Sequence, residues 1–140
     1  MTNEDWKYVE DTLLHLGSAV YLKIDGYKVT LMVEPYKKLQ NCIAVYVNDK
    51  IQYDWVFDDC EIRQRFYRRR TKCTVRLNKN KLKKASKAEK KMVEEFQKEH
   101  TFEYFEPYWM TFSTLKRHFI RNNASIQLFK GTYEEFRGVD

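Results

Sequence analysis

Apolar residues recur at helical spacing through the first sixteen positions. Trp6, Val9, Leu13 and Leu16 share one stripe, which predicts a helix from Asn3 to Leu16. Asn3 is its expected cap, Glu4 and Asp5 sit where the helix dipole favours acids, and Gly17 is the expected stop. The period then changes to two. Val20, Leu22 and Ile24 alternate with Ala19, Tyr21 and Lys23; Asp25-Gly26 has hairpin-turn chemistry; Tyr27, Val29, Leu31 and Val33 return. Pro35 has no amide to donate and is expected to end that strand. A second hairpin is read from Cys42 to Val47, across Asn48-Asp49, and back along Ile51, Tyr53, Trp55 and Phe57. The pattern predicts an α+β fold: a four-stranded antiparallel meander with the N-terminal helix packed on its apolar face, followed by a basic helical second half.

Beyond Phe57 the alternation ends. Ile62 and Phe66 suggest a helix from Glu61 to Arg70 with arginines on its outer side, and Cys73, Val75 and Leu77 suggest a short strand. Asn78 to Ala85 reads as a loop. Ser86 and Glu89 form a capping box for a helix whose buried stripe would be Ala88, Met92, Val93 and Phe96, fraying by His100. Six aromatic residues crowd 102–112, where Pro107 forbids a regular helix. Core packing suits them better than a stacking platform, because Glu103 and Glu106 lie among them. A third helix, capped by Thr111 or Ser113, would run to about Asn123 with Leu115 and Phe119 inward. Lys116, Arg117 and Arg121 would face outward. Ser125 to Phe129 reads as a last strand, and Thr132 to Arg137 as a helical turn that docks Tyr133 and Phe136.

Charge changes the picture most. Between Arg63 and Lys91 there are fourteen Lys and Arg against Glu89 alone, a local +13 in a chain of net +6. So dense a cationic strip seeks polyanions. Lysine and arginine neutralise phosphates and release counterions, and Phe66 and Tyr67 among the arginines suggest base stacking. The expected contact residues are Arg63, Arg65, Arg68, Arg69, Arg70, Lys72, Arg76, Lys81, Lys83 and Lys84, joined by Arg117 and Arg121. The strongest candidates are Arg65, Arg68, Arg69, Arg70, Lys72 and Arg76.

The length of 140 residues suggests one domain over 1–140, with helix and sheet in 1–58 and the basic strip, helices and short strands in 59–140. Three scattered cysteines, Cys42, Cys60 and Cys73, argue against a disulfide framework and for a reducing compartment. No membrane span or signal peptide is read, so a cytoplasmic protein is expected.

Catalytic signals are weak. The four glycines form no phosphate-binding loop and no nucleophile elbow. The cysteines and histidines lack metal-ligand spacing. A metal-dependent nuclease, or an accessory subunit of a DNA-processing enzyme, is the alternative reading. It would use Asp54, Asp58, Asp59 and Glu61, which otherwise serve as counter-charges to Arg63 and Arg65. No cofactor is implied.

The segment from Tyr104 to Leu128, with Phe105-Glu106-Pro107-Tyr108-Trp109, Phe112 to Phe119 and Asn122 to Leu128, resembles small phage and prophage proteins of Gram-positive bacteria. Small size and the lack of catalytic motifs are also similar to anti-CRISPR proteins as a group. Many of those imitate DNA with acidic surfaces, whereas this chain is basic and a DNA-mimic mechanism would have to use its acidic portion, Asp49 to Glu61. The resemblance implies a non-enzymatic inhibitor that grips DNA or RNA, or a host nucleic-acid-binding protein such as an RNA-guided nuclease. It assigns no site residue.

Overall fold

The structure is a computed structural model that describes residues 1–75 and 79–139. The chain divides into two compact units, Met1–Arg68 with Phe105–Asp140, and Arg69–Tyr104.

The first unit begins with α1 (Asn3–Thr12). Thr2, not Asn3, caps it: the Thr2 hydroxyl accepts from the Asp5 amide, and the Asp5 carboxylate accepts from the Thr2 amide, each at 3.1 Å. Trp6, Val9 and Leu13 are buried, whereas Leu16 is 59% exposed, because the helix stops before another turn could return it to the stripe. Strands β1 (Ala19–Ile24) and β2 (Tyr27–Lys37) form the expected hairpin. Asp25 and Gly26 both take positive φ, 46° and 88°, as a tight turn matched to strand twist requires. Pro35 does not end β2. The strand runs on to Lys37 and pairs with β3 (Gln40–Val47), and a register irregularity between Pro35 and Lys37 absorbs the proline.

The expected fourth strand is absent. Asn48 and Asp49 turn as predicted, with φ of 52° and 65°, and Lys50 bridges back to Val47. The chain then coils into α2 (Asp54–Phe57) and, from Glu61 to Phe66, α3. The later elements are β4 (Arg68–Cys73), α4 (Lys79–Lys83), α5 (Lys87–Glu99), β5 (Thr101–Glu106), β6 (Tyr108–Trp109), α6 (Phe112–Asn122), β7 (Ile126–Phe129) and α7 (Tyr133–Arg137). The free edge of β3 goes to β6, and β7 adds beside β1, giving the antiparallel order β6-β3-β2-β1-β7. An edge accepts one neighbour. Trp109 uses it to become 4% exposed while its indole N–H reaches the Phe66 carbonyl at 3.0 Å, whereas Tyr53 of the displaced segment is 74% exposed. The second half of the chain therefore completes the sheet as well as supplying helices.

The inward positions of β1, β2 and β3 pack with Val9, Leu13, Phe66, Phe105, Leu115 and Phe119 in one core. Leu115 and Phe119 are fully buried, as their spacing on α6 predicts. The predicted Glu61–Arg70 helix ends at Phe66, because Tyr67 is already extended (φ −97°, ψ 151°). Phe136 of α7 is buried against Tyr21, 5.1 Å between ring centroids, while Tyr133 stays 39% exposed.

In the second unit β4 pairs with β5. The strand predicted through Val75 and Leu77 lies earlier, at Arg68–Cys73; Leu77 falls outside the described residues. The expected loop contains α4, and its Asn78 also falls outside them. Ser86 caps α5 by accepting from the Glu89 amide at 3.2 Å. The predicted buried stripe is not buried. Met92 is 70% and Phe96 45% exposed. The half-buried positions of α5 are Val93 and Gln97, so the helix turns that side toward the strands and leaves Met92 and Phe96 outside.

Candidate nucleic-acid interface

The arginines and the lysines of the basic strip have different fates. Arg63 is buried at 9% exposure, its guanidinium 4.4 Å from the Phe105 ring centre and its Nε 3.4 Å from Asp59. Arg65 donates to Asp25 at 2.7 Å, to Glu61 at 2.8 Å through Nε, and to Asn123 at 3.1 Å. Arg68 pairs with Glu106 at 3.1 Å, both side chains mostly covered. These three arginines knit the first unit together and do not form the outer row that the helix reading predicts. Phe66 and Tyr67 have no exposed surface, so neither can stack on a base. Burial also pushes the Tyr67 phenol far above its ordinary pKa.

Arg69 meets Glu103 at 2.8 Å, but in the open, with 67% and 41% of the two side chains exposed. Such a pair is readily exchanged for another anion. Arg70 is half-buried and Lys72 exposed; Arg76 falls outside the described residues. Lys81, Lys83 and Lys84 are exposed on and just after α4. Arg117 and Arg121 are exposed on α6 of the first unit, and Lys116 lies 5.5 Å over the Trp6 ring. Among the described residues Lys72, Lys79, Lys83, Lys84, Lys87, Lys90 and Lys91 are exposed and have no carboxylate partner. Lys79, Lys87, Lys90 and Lys91 are absent from the contact residues expected above. All four lie within the Arg63–Lys91 strip, whose charge density was the signal that could have found them.

Residues 69–104 carry twelve Lys and Arg against five Asp and Glu, a net +7, which leaves −1 for the rest of the chain. The second unit thus holds the whole excess charge. Beside it a groove of about 650 Å³ is lined by Arg69, Thr71, Cys73, Gln97, Lys98 and Phe102, with Glu94, Thr101 and Glu103 completing the wall.

Two of the four acids of the Asp54–Glu61 cluster are engaged by neighbours, and Asp54 and Asp58 are exposed. Asp59 accepts from Gln64 at 3.0 Å and faces Arg63, and Glu61 is held by Arg65. Among the described residues no three of His, Cys, Asp and Glu converge on a point where one cation could sit. Cys42, Cys60 and Cys73 are unpaired thiols. His118 is occupied structurally: its Nε2 reaches the Gln64 carbonyl at 3.0 Å, its Nδ1 lies 3.2 Å from the Asn122 amide nitrogen, and its ring lies on Trp109. Among the described residues no helix is long and apolar enough to cross a membrane. Comparison with protein families, curated proteins and solved structures finds no match to this chain.

Proposed function

We propose that this is a non-enzymatic binding protein that grips nucleic acid through the lysine-rich surface of residues 69–104. One observation carries the reading: the +7 of that unit, displayed largely on lysines that no carboxylate of the described chain neutralises. Lysine is a mobile point charge suited to phosphate tracking without sequence preference. The reading therefore moves the contact surface away from Arg63, Arg65 and Arg68 and onto Lys72, Lys83, Lys84, Lys87, Lys90 and Lys91. In a phage-derived setting such a surface would obstruct the guide or target path of an RNA-guided nuclease, which itself holds duplexes by backbone shape and charge.

Salt-dependent binding tests this. With about five phosphate contacts, log K should fall against log salt with a slope near −4.5 on duplex DNA. Replacing Lys83 and Lys84 by Ala should flatten the slope by roughly 2 and weaken all sequences alike. Binding that ignores salt would overturn the reading. If a host protein is instead recovered by pull-down after nuclease digestion, and free nucleic acid binds poorly, the basic surface serves an acidic protein face.

A further inference from the structure

The outward face of the five-stranded sheet, in the first unit, carries a second and unrelated feature. Tyr21 of β1 stands opposite Thr30 of β2, and Thr30 stands opposite Tyr46 of β3. Three neighbouring strands thus present tyrosine, threonine, tyrosine in one row. Two strand spacings separate the tyrosines, about 9.5 Å at the backbone, and the short threonine leaves a notch between them. Met32, two residues along β2, lies on the same face. Tyr133 of α7 closes one side, its ring centre 6.1 Å from that of Tyr21. Asp49, in the turn after β3, completes the lining of a cavity of about 300 Å³. Thr30 is only 6% exposed, and its hydroxyl has no hydrogen-bond partner among the described residues.

We infer that this notch is a binding site for an alkylated ammonium group that retains at least one N–H. Each part of the lining selects for it. Tyrosine faces attract cations through the ring quadrupole. The one charged side chain in the lining is a carboxylate. The thioether of Met32 accommodates N-alkyl groups. The buried Thr30 oxygen offers an acceptor that an apolar guest would leave unmet, at a cost that disfavours such a guest. Asp49 lies against the Tyr133 hydroxyl at one side of the notch, and nearby Glu34 accepts the Tyr46 hydroxyl and keeps its negative charge. The volume suits a head group more than a whole metabolite. The guest is either a free small amine or the methylated end of a lysine side chain in a partner.

Amide-resolved NMR titration of the full chain tests the inference with three probes of like shape. Protonated N,N-dimethylethanolamine should shift the amides of Tyr21, Thr30, Tyr46 and Tyr133. Choline, which lacks the N–H, should bind several-fold more weakly. Uncharged 3,3-dimethylbutan-1-ol should bind at least about 10-fold more weakly than the dimethylamine. Asp49→Asn should weaken both cations, and Thr30→Val should erase the preference for the N–H cation over choline. A dimethyllysine peptide that binds more tightly than the free amine would mark a protein partner as the source; equal binding would mark the small amine. Equal affinity for the neutral alcohol, or no shift with the amine at about 20 mM, would overturn the site.

Discussion

Asp25 shows how much one side chain can tie together. It sits in the β1–β2 turn at φ 46°, its carboxylate accepts the Ala124 and Ser125 amides at 2.8 Å each, and it pairs with Arg65 at 2.7 Å. Those two amides first, and Arg65 after them, hold its pKa below the ordinary 3.8. A depressed carboxylate stabilises the fold above its unfolded pKa, and that contribution is lost as pH falls through the folded value. Asp25→Asn should therefore lower the thermal midpoint at neutral pH and flatten the acid limb of the midpoint-against-pH curve below about pH 4. Asp59→Asn, at a 76% exposed side chain, should do little to the same curve. His118 acts with the opposite chemistry. Burial first, then the Arg121 charge, lowers its pKa below 6.5, against the pull of the Gln64 carbonyl. The unfolded chain then takes up the proton more readily, so stability should decline as pH drops below about 6.5. His118→Gln should remove that decline in urea titrations at pH 7 and pH 5.5.

Single elements carry their own tests. Leu39, in the β2–β3 turn, is fully exposed and held at φ 64°, a backbone region that penalises a branched side chain with nothing to pack against. Leu39→Gly should stabilise the protein by about 0.5–1 kcal/mol in chemical denaturation. A loss of stability would mean that the turn does not hold this conformation in solution. The two other hairpin turns were legible because Asp25-Gly26 and Asn48-Asp49 are residue types that tolerate positive φ. Lys38-Leu39 is not such a pair, and so this turn gave no sign of itself. In the second unit, Ser86→Ala removes the acceptor for the Glu89 amide and should cost α5 about 1 kcal/mol, read as reduced helical circular dichroism or faster amide exchange in Lys87–Glu99. Strand 51–57 failed as a reading because Ile51, Tyr53, Trp55, Val56 and Phe57 satisfy two periods at once. Trp55 and Val56 are half-buried side by side in a short helix, which an alternating strand would not allow.

Across the whole molecule, packing and charge are unevenly shared. Phe119 lies fully buried among Phe66 and Trp109, at 5.5 and 6.5 Å between ring centroids, so Phe119→Ala should cost about 3–5 kcal/mol of global stability. Phe96→Ala, on the open side of α5, should leave the global denaturation midpoint nearly unchanged. Hydrogen exchange should show the same division. Amides of β1, β2 and β3 should open only with global unfolding, and those of α5, which buries no residue fully, through cheaper local events.

Local pattern was enough to specify four of the five sheet strands, the N-terminal helix, the inward faces of α1 and α6, the cap of α5 and a steep separation of charge. Each depends on residues within a few positions of one another, where period and turn chemistry act directly. What shares the edge of β3, and which cations are spent inside the fold, were settled only by contacts far apart in the chain: Trp109 with Phe66 across 43 positions, and Arg65 with Asp25 across 40. Periodicity carries no information about such partners, because an unpaired strand edge or guanidinium accepts whichever distant group buries the most surface and leaves the fewest polar atoms unmet.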